Sequence, residues 1–209
     1  MSKKIIINQE FIINHGWNLS KGVTEIGVTQ PFCTFSDFFS DDEINNIINI
    51  GETEELLSGI VDVDRLDITI RNASIAWISS INSDHFWLFR KLTDIIHMAN
   101  KQFFNYNLEK IEALQYTVYN QGCFYDKHHD MMIRHPAHAV RKLSFTLQLM
   151  DEKEYDGGEL IMCSESNRSM PRKKGTLIIF PSYTLHEVKK ITRGTRKSLV
   201  GWIEGPPFK

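Results

Sequence analysis

Between residues 125 and 135 the chain reads YDKHHDMMIRH. Three histidines and two aspartates fall within eleven positions of a 209-residue protein that has eight histidines in all. Imidazole nitrogen and carboxylate oxygen both ligate divalent transition metals, so the cluster points to a metal site. Strand geometry separates the two adjacent histidines. If 125–131 is extended, His128 and Asp130 share one face and His129 faces away. The spacing therefore pairs His128 with Asp130 and leaves His129 a bystander. A third ligand is available in His186, at the end of the apolar run in FPSYTLHEV and 58 positions after His128.

Two histidines and one carboxylate form the facial triad of non-haem Fe(II) oxygenases, which leaves three positions open for a bidentate co-substrate and dioxygen; a zinc site is the rival reading of the same donors. Ten positions after His186 comes Arg196, in GTRKSLVGWI. On a strand, Arg196, Ser198, Val200 and Trp202 share a face. A guanidinium with a hydroxyl two residues on is shaped to hold a carboxylate through paired hydrogen bonds. Val200 and Trp202 make that face apolar, so the charge should be buried and in need of a partner. The plainer reading makes Arg196 one more surface cation beside Lys189, Lys190, Arg193 and Lys197.

The elements that must position these residues change character along the chain. Ser40-Asp41-Asp42-Glu43 is a helix start, with a capping serine and acidic first turn. Ile44, Ile47 and Ile48 follow at helical spacing, and Gly51 fits the end. Residues 84–104 read as a longer amphipathic helix with Phe86, Phe89, Ile95 and Met98 among its apolar positions. From Ile111 onward the period shortens to that of strands: LQYTVY, RKLSFTLQLM, GELIMC, GTLIIF, LHEV and RKSLVGWI, separated by glycine-containing turns. Such close strand spacing suggests a sandwich or barrel. No internal repeat or low-complexity segment interrupts the order of helices early and antiparallel sheet late.

The chain is long enough to bury roughly 70% of its unfolded surface in one domain without disulfides. Cys33, Cys123 and Cys163 stand far apart and read as reduced thiols. The start, MSKKIIINQEFIINHGW, reads as a strand rather than a signal peptide. No stretch of 18 apolar residues is present, so the expectation is a cytoplasmic protein with no membrane partner. Charge is uneven: residues 1–166 carry 14 basic and 24 acidic residues, whereas 167–209 carry 10 and 2. That gradient suggests an anionic partner near the C-terminal segment, nucleic acid or a small dicarboxylate, with a solvated basic face as the simpler alternative.

Five motifs in order carry a resemblance. Y-x-x-G-x-x-Y-x-x-H-x-D is met by Tyr119, Gly122, Tyr125, His128 and Asp130. R-x-L-S follows at 141–144, Y-D-G-G-E-L at 155–160, F-P-S-x-x-L-H at 180–186 and G-T-R-x-S-L-V-G-W at 194–202. In this order they resemble the 2-oxoglutarate- and Fe(II)-dependent dioxygenases of the prolyl 4-hydroxylase type, in the style of bacterial and viral members, over about residues 111–205. The resemblance implies a mostly β (α+β) chain with flanking helices. It implies one domain, 1–209, with N-terminal strands and supporting helices over 1–110. These would brace a double-stranded β-helix, or jelly roll, over 111–205. It further implies that His128, Asp130 and His186 are the catalytic metal ligands. Arg196, helped by Ser198 and by Gln148 or Thr146 where several relatives have a tyrosine, would hold the distal carboxylate of 2-oxoglutarate. Tyr119 would line that pocket, and Arg141, Trp202 and Tyr125 would face substrate. Fe(II), 2-oxoglutarate and dioxygen, with ascorbate stimulatory, are the implied cofactors, and a proline-containing protein or peptide the implied substrate. The reaction would be hydroxylation with succinate and CO2 as co-products. An oxygenase of nucleic acid or of a small molecule, and a non-catalytic cupin-like metal-binding module, are the competing functions. His135 and His138, in RHPAH, are expected in a loop over the site, and no basic-aromatic stripe of the kind that binds single strands stands out.

Overall fold

The structure is a computed structural model, describing residues 32–58, 69–131, 139–163 and 167–207. The expected N-terminal strand, His135 and His138 lie outside the described residues. Strand β1 (Cys33–Phe35) leads into helix α1 (Asp41–Thr53), and β2 (Leu57–Ser58), β3 (Arg71–Asn72) and β4 (Ser74–Ile78) precede helix α2 (Phe86–Ala99). Strands fill the rest: β5 (Lys110–Ile111), β6 (Leu114–Tyr119), β7 (Phe124–His128), β8 (Val140–Gln148), β9 (Tyr155–Gly157), β10 (Leu160–Met162), β11 (Arg168–Ser169), β12 (Leu177–Pro181), β13 (His186–Val188), β14 (Ile191–Gly194) and β15 (Arg196–Gly205). The described chain is thus mostly β with two α-helices.

All strand pairs are antiparallel. An eight-stranded sheet runs β1-β12-β8-β15-β6-β4-β2 with β5 on β15, a five-stranded sheet runs β11-β10-β13-β7-β3, and β14 pairs β9. Side-chain alternation gives the large sheet two different faces. On one face Leu114, Tyr116, Leu143, Phe145, Leu147 and Leu199 form a core with Ile44 and Ile47 of α1 and Leu88, Leu92, Ile95 and Ile96 of α2. On the other, Tyr119, Ile178 and Phe180 pack with Leu160, Met162 and Val188 of the smaller sheet. The alternating positions of β6, β8 and β15 also put Gln115, Thr117, Ser144, Thr146, Gln148, Arg196 and Ser198 on this second face, all buried. A buried face this polar needs partners for its side chains, which is the signature of a site rather than a plain core.

The helices follow their expected starts more closely than their ends. Ser40 caps α1 in a full capping box: Glu43 N–H donates to Ser40 Oγ at 3.2 Å, and Ser40 N–H donates to Glu43 Oε2 at 2.8 Å. The helix does not stop at Gly51 but continues to Thr53. Gly51 instead lets the Tyr116 ring approach the helix, where any Cβ would overlap it. The expected 84–104 helix is composite: a 3-10 turn at Ser83–His85, α2, and a π turn at Asn100–Phe104. Its buried stripe is Leu88, Leu92, Ile95, Ile96 and Ala99, at spacings of three and four, while Phe86 and Met98, expected on the apolar face, are exposed. Among the described residues no helix is long and apolar enough to cross a membrane.

Candidate active site

Strands β7 and β13 bring the first two candidate ligands together, because His128 and His186 are directly opposed in the pair. Their ring centroids are 4.2 Å apart. Asp130 reaches them by a different route from the one the alternation suggested: β7 ends at His128. The Asp130 and Met131 N–H groups then both donate to the Ser182 carbonyl, each at 2.9 Å. That clamp turns the chain and aims the Asp130 carboxylate back at the histidines. His128 Nε2 lies 3.8 Å from Asp130 Oδ1, and His186 Nε2 lies 3.5 Å from Oδ2. One ligand atom from each of the three residues lies within 4.8 Å of the others, and Asp130 and His186 are buried. His129 is exposed and turned away, its Nδ1 against the Tyr183 carbonyl at 2.6 Å.

Proton placement fits a metal between these groups. His128 Nδ1 meets the Asp126 carbonyl at 2.7 Å and His186 Nδ1 meets the Thr184 carbonyl at 2.8 Å. A carbonyl only accepts, so both Nδ1 atoms carry the hydrogen, which leaves Nε2 as the nitrogen of each ring that can ligate. Burial, then the His186 ring beside it, drives the His128 pKa down to about 3. That ring is therefore a neutral donor at ordinary pH. Burial alone would raise Asp130, but His186, His128, a hydrogen bond from Ser144 and the nearby Arg141 charge hold it below the usual carboxylate range. The separations of 3.5 and 3.8 Å are too long for hydrogen bonds, yet shorter than two metal–ligand bonds of about 2.0–2.2 Å placed end to end. Two imidazoles and one carboxylate suit Fe(II).

Arg196 lies on the same inner face and is 1% exposed. Its Nη1 donates to Ser198 Oγ at 3.2 Å and its Nη2 to Gln148 Oε1 at 3.1 Å, while Nε has no hydrogen-bond partner. The Tyr119 ring, opposite it on β6, lies 5.4 Å from the guanidinium carbon. Thr146 is buried on the neighbouring strand, opposite Val200. Gly158, at φ 67°, makes room for the arginine stem: a Cβ there would sit 3.1 Å from Arg196 Cδ. Among the described residues, the hydrogen-bond partners of this buried cation are neutral.

The three residues expected to face substrate form two stacks. Arg141 lies 3.9 Å from the Trp202 ring centroid and is held by Glu112 through Nε at 2.6 Å and Nη2 at 2.7 Å. Trp202 in turn lies 6.1 Å from Trp77, which is exposed. Tyr125 stacks on His128 with centroids 3.5 Å apart and planes 12° off parallel, and Arg71 also lies over the Tyr125 ring. Sequence reasoning missed Glu112, Arg71 and Ser182. The two serines nearest Asp130 sat in quoted motifs, R-x-L-S and F-P-S, but only strand register reveals that they meet. Glu112 and Arg71 carry no local signal.

Residues 114–204 match the model of the 2OG-Fe(II) oxygenase superfamily. That segment, somewhat under half of the chain, is similar to a 2OG-Fe(II) oxygenase domain, and together with the hydroxylase relatives it marks the chain as a hydroxylase enzyme. Among curated relatives, a PKHD-type hydroxylase of Synechococcus sp. (strain JA-2-3B'a(2-13)) is 28% identical over 174 residues, covering 77% of this chain and 76% of the relative. A prolyl-4-hydroxylase from Pseudomonas putida superposes with a TM-score of 0.71 at 25% identity, covering 85% of this chain and 95% of that one. A prolyl hydroxylase from Trichoplax adhaerens, solved with a peptide fragment of the hypoxia inducible factor oxygen degradation domain, has a TM-score of 0.69 at 19% identity. It covers 84% of each chain and shares the fold.

Proposed function

We propose that this enzyme hydroxylates a prolyl residue in a protein or peptide, using 2-oxoglutarate and dioxygen and releasing succinate and CO2. In this reading the two facing sheets are the double-stranded β-helix, and the helices on the outer face of the large sheet brace it. His128, Asp130 and His186 hold the ferrous ion. When bound, that ion, with 2-oxoglutarate, supplies the oxygen chemistry that hydroxylates an unactivated C–H bond.

The observation that carries the reading is Arg196. A fully buried guanidinium whose partners are a hydroxyl and an amide oxygen is a costly arrangement unless an anion completes it. The distal carboxylate of 2-oxoglutarate is such an anion, and paired N–H donors fix its orientation. Gln148 and Ser198 aim the guanidinium, and Tyr119 and Thr146 flank the place that carboxylate would take. Arg141, Trp202 and Tyr125 stand on the substrate side. Arg141 does not act there as a free cation, because Glu112 already neutralises it, so an uncharged backbone segment suits this wall better than an acidic one. The prolyl assignment rests on the likeness to prolyl hydroxylases, one of them holding a peptide.

The test is a peptide library incubated with enzyme, Fe(II), 2-oxoglutarate and ascorbate. A gain of about 16 Da at proline, matched by succinate, is expected. Oxygen insertion into an oligonucleotide or a free metabolite, with every peptide untouched, overturns the substrate assignment. Failure to decarboxylate 2-oxoglutarate with any substrate would favour the binding-module reading.

A further inference from the structure

Two serines behind the metal ligands have no role in the steps above, yet both are fully buried. Ser144 on β8 and Ser182, just past β12, place their Oγ atoms 2.9 Å apart. Ser144 also stands close enough to the Asp130 carboxylate to lower its pKa through a side-chain hydrogen bond. Each hydroxyl has one hydrogen. The carboxylate can only accept, so Ser144 spends its hydrogen on Asp130, and Ser182 must be the donor to Ser144. The chain of donors therefore runs one way, Ser182 to Ser144 to Asp130.

Ser182 holds the same aspartate by a second route. Its carbonyl accepts from the Asp130 and Met131 N–H groups, and its own N–H donates to the Lys142 carbonyl at 3.0 Å. The backbone of residue 130 and the orientation of its carboxylate are thus tied to one residue, which sits four positions before His186 on the segment carrying that ligand. Asp130 needs this because it lies beyond the end of β7, where no ladder bond fixes it.

We infer that Ser182 and Ser144 form a hydroxyl relay that positions the Asp130 carboxylate for the metal, so that the enzyme's metal affinity depends on two residues that do not touch the ion. This rests on the assignment of Asp130 as a ligand. Hydrogen-bond partners of a ligand typically change metal affinity or activity by about 10–100-fold. A relay also has a non-additive signature, because Ser182 can act on the carboxylate side chain only through Ser144.

The experiment titrates the metal-free protein with Co2+ in the absence of 2-oxoglutarate and substrate, reading the visible absorption, for wild type, S144A, S182A, S144A/S182A and D130N. A loss in D130N shows that the aspartate is a ligand, independently of any effect of the serines. S144A is expected to weaken Co2+ binding by about 10–100-fold, S182A by less, and the double variant no more than S144A alone. Melting temperature and circular dichroism are followed in parallel, since a merely structural role would move them without moving the affinity. Wild-type affinity in S182A overturns the relay, as does an equal extra loss from S182A in both backgrounds. Should S144A fail to fold, S182A decides alone, because it leaves the Ser144–Asp130 contact in place. Unchanged Co2+ binding in D130N would instead overturn the metal-ligand assignment itself.

Discussion

At the scale of single residues, the site is defined by which groups already have partners. Arg196 has neutral ones only, and this yields a sharp expectation for Gln148. Gln148→Glu supplies a carboxylate at 3.1 Å from Nη2, so the arginine is satisfied internally and no longer needs the co-substrate. The variant should melt no lower than wild type while its KM for 2-oxoglutarate rises by about 10-fold or more, the scale of one charged hydrogen bond. An unchanged KM would show that Arg196 does not meet the co-substrate. Arg196→Lys removes the fork and should raise the same KM by about 10–100-fold. Asp130→Ala should abolish or redirect turnover, read as loss of the oxygenated product; normal hydroxylation by that variant would remove Asp130 from the ligand set. The donor types of the candidate ligands were legible from residue type, and the burial of Arg196 from a period of two, but the route by which Asp130 meets the histidines was not, because β7 ends at His128. The pairing of Arg141 with Glu112 was not, since it depends on the order of strands in the sheet, which no local spacing encodes.

At the scale of elements, helix α1 ties the outer face of the large sheet to its surroundings, and both of its ends can be tested. Ser40→Ala removes the cap and should cost about 0.5–2 kcal/mol in urea unfolding. Gly51→Ala gains helix propensity of up to about 1 kcal/mol, but the added methyl overlaps the Tyr116 ring, and overpacking costs about 1–3 kcal/mol, so net destabilisation is expected. The capping glutamate gives a pH signature. Burial works against ionisation of Glu43, yet Lys91 at 2.6 Å and the Ser40 backbone and hydroxyl lower its pKa overall. A carboxyl depressed in the folded state stabilises above its unfolded pKa of about 4.3, and that contribution is lost as pH falls through the folded value. Glu43→Ala should therefore melt below wild type at pH 7, and the gap should shrink as pH falls below the unfolded value of about 4.3. A gap that did not narrow with falling pH would assign the effect to packing. The start of this helix could be read from the sequence because capping is local chemistry. Its end could not: Gly51 resembles a stop signal, and only the strand packed against it explains the glycine.

At the scale of the whole molecule, the uneven charge of the chain reads as internal complementarity. Lys173, Lys174 and Lys197 of the basic C-terminal segment meet Asp37, Asp41 and Glu52 of the acidic remainder. Arg172 and Arg193 meet Glu159 and Asp156, and Lys189 meets Glu187 within the segment itself. Among the described residues of that segment Arg196 is the one buried cation, and its hydrogen-bond partners are neutral, so in the proposed reading a small internal anion answers the charge gradient. Exposed pairs of this kind contribute about 0–1 kcal/mol each, so removing their acidic halves should leave the fold intact. The variant Asp37→Asn, Asp41→Asn, Glu52→Gln is then expected to unfold within a few kcal/mol of wild type and to turn over peptide normally. It should also gain oligonucleotide affinity that falls steeply with salt, because three freed cations can now displace counterions from phosphates. Wild type should show far weaker retention on the same oligonucleotide at about 0.15 M salt, where surface charges are screened beyond about 8 Å. Equal binding by both proteins would mean that the basic segment already faces a polyanion, and would move nucleic acid from a competing substrate class to the favoured one.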